Sequence, residues 1–411
     1  MDVSDAAWAD RRARVILDPT VIQLNAGTCS PTPQPVFERV SELRRRQAAS
    51  PTEFQWRDAW PMLQQSREAL AGYLSGDPRN LALVENVTVA INIAAQSLEL
   101  PPGAEILTSP YEYGSMLLLW KRLAAQRGWT VREAAFPKQI EQPRQILDAF
   151  AAAASDSTRL LFFSHVSSPT GLIFPAVELC RMARQHGWIS VIDGAHAPGQ
   201  IEVNLREIDA DFYCANGHKW MMAPASVGFL HVSARQKRAT RSIISSWGHG
   251  YLPHQADDEA FPGTSRWQYD LEFHGTADRT PQMVLPEVIG FRQSIGGDSA
   301  IRARVRHLTT RLRNHLRELN LRPFSPDDAR LVGNLTAILL PEPFQQPGGF
   351  LASPADTPAA RLQRRLWEHH RIECPVTHAD GRTFLRISTG WFNTEQEIDR
   401  LALALRQELA A

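Results

Sequence analysis

Nothing in the 411-residue sequence runs apolar for the roughly 20 residues that a helix needs to cross a bilayer, so no segment reads as a membrane span. The opening stretch, MDVSDAAWADRRARVILDP, mixes charges of both signs and lacks an apolar signal-peptide core, which predicts a cytoplasmic protein. Neither charge sign is in excess: 44 Lys and Arg balance 44 Asp and Glu, leaving no net field to gather nucleic acid or an anionic membrane. Cysteine is scarce. Cys29, Cys180, Cys214 and Cys374 are too few for a disulfide framework and lack the paired spacing of a zinc site, so reduced structural thiols are expected. Histidines such as His165, His196, His218, His249, His254 and His274 show no HExxH spacing and no Cys/His ligand pair, so no metal centre is expected. Internal repeats, heptads and low-complexity tracts are also missing.

What is present is length enough for two domains and 43% hydrophobic residues, an ordinary globular composition. From residue 80 onward short β-rich runs alternate with helical patterns: LALVEN then VTVAINIAAQSL, AEILTSP then YGSMLLLWKRLAAQRG, RLLFFSHV then AVELCRMARQHG, and WISVID. That rhythm predicts an α/β fold with crossover units on a mainly parallel sheet. DADFYCAN and SVGFLHV add two strands around Lys219, with too few residues between them for a helical crossover, so an antiparallel pairing is expected. After an aromatic-rich segment at 246–280 come long helical patterns and then the strand-like runs NLTAILL and TFLRIS, which read as a smaller α+β domain. We expect a large domain over 16–285 and a small C-terminal domain over 286–411, with residues 1–15 packed on the latter. The Pro- and Gly-rich stretch across 343–360 reads as a loop.

In open α/β sheets, ligands gather beyond the carboxyl ends of the strands, and several chemically capable residues fall there. Val87 and Thr88 open a helix after LALVEN, where backbone N–H groups and a hydroxyl suit an anion such as phosphate; Asn86 or Thr88 reads equally well as a simple helix cap. Asp193 closes WISVID and is followed by Gly194, a strand-end carboxylate or a turn former. Lys219 sits in ANGHKWMMAPASVGFL, between a histidine and an apolar run. A lysine there is either snorkelling to water or is buried, in which case it must be paired, neutralised or chemically used.

Four motifs, VIDGAHAPG, NGHKW, HGTADRTP and LRISTGWFNTEQEID, occur in an order that resembles the class V aminotransferase superfamily of fold type I pyridoxal-phosphate enzymes, in particular its isopenicillin N epimerase-like branch. The resemblance runs from LNAGTCSPTP near residue 24 to the C-terminus. It implies a large domain built on a mainly parallel seven-stranded sheet flanked by helices, a cofactor, pyridoxal 5'-phosphate, held as an aldimine by Lys219, and a homodimer with shared active sites. By the same resemblance Asp193 holds the pyridine nitrogen protonated, His196 approaches the phenolic oxygen, and Tyr113 stacks on the ring. Thr88, Asn216 and His218 match the positions of the phosphate cradle, beside the helix start at Val87, and Thr276 matches the ligand donated to it by the neighbouring subunit. Arg386, within TFLRIS, is placed to take the α-carboxylate of an amino-acid substrate.

Two departures stand out. Ser168 in HVSSPTG occupies the cofactor-site position where many relatives carry asparagine, and Cys374 lies early, beside a proline, rather than on the loop where cysteine desulfurases carry their persulfide-forming residue. The implied first step is removal of the Cα proton of an α-amino acid. Of the fates that follow, we expect β-elimination with C–S cleavage of a cysteine-derived or other β-substituted amino acid; epimerisation and transamination are the alternatives, and a binding scaffold that has lost catalysis is the non-enzyme one. The set Asp193, Lys219 and Arg386 argues for an enzyme.

Overall fold

A computed structural model describes residues 2–249, 257–342, 344–345 and 357–410. Most of the expected 343–360 loop, together with Tyr251 and His254, therefore lies outside the described residues. Six of the seven strands of the main sheet fall on the expected runs, all but β3: β1 (Leu81–Val84), β2 (Glu105–Thr108), β3 (Thr130–Glu133), β4 (Thr158–Ser164), β5 (Ile189–Asp193), β6 (Phe212–Asn216) and β7 (Gly228–Val232). Their order is β1-β7-β6-β5-β4-β2-β3. All neighbours pair in parallel except at β7, which is antiparallel to both β6 and β1, as the short connection around Lys219 requires. β3 carries no apolar run, because an edge strand needs no second buried face; its residues are largely exposed and sequence patterning passes over it.

Alternation along β4 shows how the sheet is sandwiched. Leu161 and Phe163 enter one core, while Leu160 and Phe162 enter the core on the other face. Helix Val87–Ser97 starts where Asn86 Oδ1 accepts from Val89 N at 3.0 Å, and helix Gly114–Arg127 stops at Gly128, whose φ of 68° is the left-handed region. No helix among the described residues is long and apolar enough to cross a membrane.

A second, three-stranded antiparallel sheet follows, with β8 (Leu335–Leu339) and β9 (Val376–Ala379) flanking β10 (Arg382–Ser388). Leu385 and Ile387 join its core with Leu308, Leu312, Leu362 and Leu401. The N-terminal helix Asp5–Arg12 lies on this part of the molecule, Arg12 donating to Phe392 O at 2.8 Å and pairing with Glu397 at 2.9 Å. Two packings cut across the division expected at 16 and 285. Strand Ile22–Gln23 pairs with Ile372–Glu373, and Ile22 and Leu24 are buried in the smaller core. Helix Leu285–Ser294 packs on helix Ala59–Tyr73 beside the larger sheet.

Helix Ala59–Tyr73 is tied to that sheet by a buried ion pair. Arg67 Nη1 meets both oxygens of Glu272 at 3.0 and 2.7 Å, both side chains are 0% exposed, and Glu272 also accepts from Leu83 N at 2.9 Å. Thr264 and Gln64 satisfy the rest of the guanidinium. Glu272→Ala leaves that cation buried without a counter-charge, so we expect a loss of about 3–5 kcal/mol in urea unfolding; a loss below about 1 kcal/mol would show that water reaches Arg67.

Candidate active site

At the carboxyl ends of β1, β5 and β6 lies a cavity of about 270 Å³, lined among others by Val87, Thr88, Tyr113, Ser168, Asp193, His196, Asn216, His218, Lys219 and Arg386. Ten of the residues singled out in the sequence thus face one space. Thr276 does not: it is exposed and is not among the lining residues of the single chain.

Each wall has a local cause. Asp193 ends β5 and is 3% exposed, its Oδ1 accepting from Ala195 N at 2.9 Å. Gly194 follows because a Cβ there would meet Tyr213 Cε1 at 2.4 Å. Lys219 sits in the turn between β6 and β7, held as Gly217 N donates to Val227 O at 2.8 Å and Met222 N to Lys219 O at 3.0 Å. Its Nζ lies 3.0 Å from His196 Nε2, and Trp220 Nε1 donates to His196 Nδ1 at 3.4 Å. With Nδ1 accepting, a neutral imidazole carries its proton on Nε2 and presents it to an uncharged amine.

The electrostatics make both groups less basic than usual. Desolvation brings Lys219 down from 10.5 to about 8, with the Arg386 cation helping and the Asp193 carboxylate opposing. His196 falls well below its ordinary 6.5, first through desolvation and then through the Lys219 and Arg386 cations. Burial also raises Asp193, although Ala195 N and Lys219 pull the other way. His218 drops to about 4, again mainly by desolvation.

Arg386 is the strongest pointer to an anionic ligand. It is 5% exposed, yet no carboxylate pairs with it among the described residues. Nη1 donates to Ser168 O at 3.0 Å and Ser168 Oγ at 3.2 Å; Nη2 donates to Asn25 Oδ1 at 3.2 Å and Thr28 Oγ1 at 3.0 Å. Nε has no partner, and burial lowers the guanidinium to about 10. A buried cation held only by neutral groups is costly unless a ligand brings the opposite charge.

Two expected roles shift in detail. Val87 N donates to Asn216 Oδ1 at 2.8 Å, so that N–H is already engaged, and the helix start offers Thr88 instead, with His218 Nδ1 buried and unpartnered nearby. Ser168, grouped with the cofactor contacts in the sequence, is seen bonded to Arg386. Cys374 is buried with its Sγ donating to Arg386 O at 3.2 Å, and desolvation drives its thiol far up, the opposite of a nucleophile's environment.

Sequence reasoning passed over Asn25, Thr28 and Glu112. The first two reach Arg386 from more than 350 positions away, a closeness no local pattern carries. Glu112 is buried, accepts from Ser164 Oγ at 2.5 Å and from Ser109 Oγ, and is pushed by desolvation to about 8, so it stays largely protonated below that pH. Ser164 lies beside Asp193 in the β4–β5 register and lines the cavity, which places a neutral carboxyl behind the charged one. Its only signal was a charge between two tyrosines in YEYGSM. Elsewhere, among the described residues, His369, His370 and Glu408 bring three ligand atoms together, but Arg365 already pairs with Glu408 at 2.5 Å.

The donor set suits pyridoxal phosphate. A buried carboxylate with one oxygen held by Ala195 N can meet a ring nitrogen, an amine of lowered basicity can meet an aldehyde, and a helix start beside an unpartnered imidazole can meet a phosphate. Residues 22–342 match the family model described as Aminotransferase class-V. The chain is 43% identical to isopenicillin N epimerase from Streptomyces clavuligerus over 407 residues, 97% of this chain and 98% of that one. It is 27% identical to putative L-cysteine desulfhydrase 1 of Oryza sativa subsp. japonica, covering 95% of this chain and 83% of the relative. In fold it is similar to the apo cysteine desulfurase of Thermococcus onnurineus NA1, with a TM-score of 0.77, 20% identity and 98% of each chain covered. The fold is therefore the fold type I of pyridoxal-phosphate enzymes, and the chain belongs to the class V aminotransferase family, whose cofactor is pyridoxal phosphate.

Proposed function

We propose that this protein is an epimerase of the isopenicillin N epimerase type, acting on the α-amino-acid centre of its substrate. The observation that carries the reading is 43% identity across 97% of the chain to a protein of that name. C–S lysis, the fate expected from the sequence, has weaker support: the relative named for cysteine desulfhydrase activity is more distant, at 27%. Desulfuration by a persulfide route lacks its nucleophile at Cys374, which is enclosed; β-elimination needs no such thiol.

On this reading Asp193, His196, Lys219, Tyr113, Thr88, Asn216 and His218 would hold pyridoxal phosphate, which when bound supplies the electron sink for negative charge at Cα. Arg386, positioned by Ser168, Asn25 and Thr28, binds the substrate carboxylate and so fixes the orientation of the Cα–H bond. Lys219 moves the proton at Cα: its amine is poised near pH 8, and His196, uncharged, bonds to it without competing for the proton. We further propose a homodimer in which Thr276 completes the partner's phosphate cradle, which would account for its exposure in the single chain, and a two-domain division near residues 16 and 285 that strand Ile22–Gln23 and helix Leu285–Ser294 each cross.

Incubation of the holoenzyme in heavy water with isopenicillin N, and in parallel with L-cysteine, tests the reading. We expect inversion of the first with one deuterium gained at Cα, and neither sulfide nor keto acid from the second. Sulfide and keto acid from cysteine, with isopenicillin N unchanged, would assign C–S lysis instead.

A further inference from the structure

A larger cavity, about 440 Å³, lies away from Lys219, between helix Gly297–Glu318 and the 327–334 loop. Arg302, Arg306, Arg313 and Arg317 line it, and spacings of four, seven and four residues set them on one face of the helix. Against these four cations the lining offers a single carboxylate, Asp327, shared by Arg313 and Arg317. Other basic residues of the same helix are paired individually, Arg304 with Asp5 and Arg311 with Asp399. Arg302 and Arg306 have no ion pair among the described residues.

A second observation points the same way. Thr309, between the two arginine pairs, is 6% exposed, lines the cavity, and its hydroxyl has no hydrogen-bond partner. A buried hydroxyl left unmatched costs free energy that a ligand oxygen would recover. Arg313 is itself buried, and desolvation together with the Arg317 cation lowers its guanidinium to about 10 despite the Asp327 contact. The lining is polar as well at Gln200, whose Nε2 donates to His196 O at 2.6 Å and whose Oε1 accepts from Asn334 N at 2.8 Å.

We propose that this cavity is a binding site for a multivalent oxyanion, a phosphate ester or polycarboxylate, gripped by Arg302, Arg306 and Arg313 with Thr309 supplying a neutral hydrogen bond. Like charges along a helix face repel, and a multiply charged ligand with several acceptor oxygens is the chemistry that relieves all of them at once.

Calorimetry on the full chain loaded with pyridoxal phosphate, in buffer free of phosphate and carboxylate, tests this with pyrophosphate and citrate as probes. One saturable site per chain is expected, the tighter probe assigning phosphoryl or carboxylate ligands. The double substitution Arg302→Gln and Arg306→Gln is expected to weaken binding by about tenfold or more. Thr309→Val, nearly isosteric and so safe for folding, is expected to weaken it by about three- to tenfold. No saturable binding of either probe to the unsubstituted protein overturns the proposal, and so does binding that neither variant weakens.

Discussion

Lys219→Ala is expected to lower Cα–H exchange by about 10³-fold or more, and to leave the protein unlabelled when borohydride is added in the presence of pyridoxal phosphate. The amine is the one group of the cavity that combines a nucleophilic nitrogen, an ordinary pKa of 10.5 lowered to about 8, and an uncharged neighbour at 3.0 Å. Fold stability should not follow activity. Lys219 makes no salt bridge among the described residues, and because its folded-state pKa lies below its unfolded one, the protonated amine costs stability below about pH 8, a cost that disappears as pH rises toward the unfolded value. The variant apoenzyme is therefore expected to show an unfolding midpoint at pH 7 no lower than that of the native apoenzyme. A small external amine that restores part of the exchange would identify the missing proton carrier. Full activity in the alanine variant, or a borohydride label remaining elsewhere on the chain, would remove Lys219 from the chemistry.

How much of this was legible beforehand follows from what each feature needs. β4 and β5 were readable because strands covered on both faces must be apolar along their length, and their ends then locate Asp193 without further help. The antiparallel turn at Lys219 followed from the short distance between two strand patterns. β3 was not readable, since an edge strand with exposed side chains carries no hydrophobic signature. Arg386 was legible as an arginine inside a strand; its clamp was not, because Asn25 and Thr28 meet it only through long-range folding. The same limit applies to Glu112, whose protonation depends on burial and on the charge of Asp193. The choice between elimination and epimerisation lay beyond motif reading, because both begin with the same residues and diverge through the shape of the cavity and the timing of proton return. Overall similarity to a named epimerase changes the weight between them, as local motifs did not.

Asp193→Asn separates the electrostatic part of the site from its covalent part. The amide oxygen can still accept from Ala195 N, at 2.9 Å in the native chain, so the strand end should keep its shape. What is lost is a buried negative charge, and two measurable quantities depend on it. The first is Cα–H exchange, expected to fall by about 10²–10³-fold, the size typical of removing one preorganised charge or donor from a developing transition-state charge. The second needs no cofactor. Asp193 raises the pKa of Lys219 against the downward pull of desolvation and of Arg386, so its neutralisation should move the amine's titration below about 8. In the apoenzyme, the pH dependence of Lys219 acetylation reads that directly: the reactive, unprotonated fraction should rise at lower pH than in the native chain, while Arg386→Gln, which removes a cation, should move it the other way. Exchange within about threefold of native, together with an unmoved acetylation profile, would mean that Asp193 faces neither the ring nitrogen nor the amine, and would leave the buried cation at Arg386 to set the electrostatics of substrate binding.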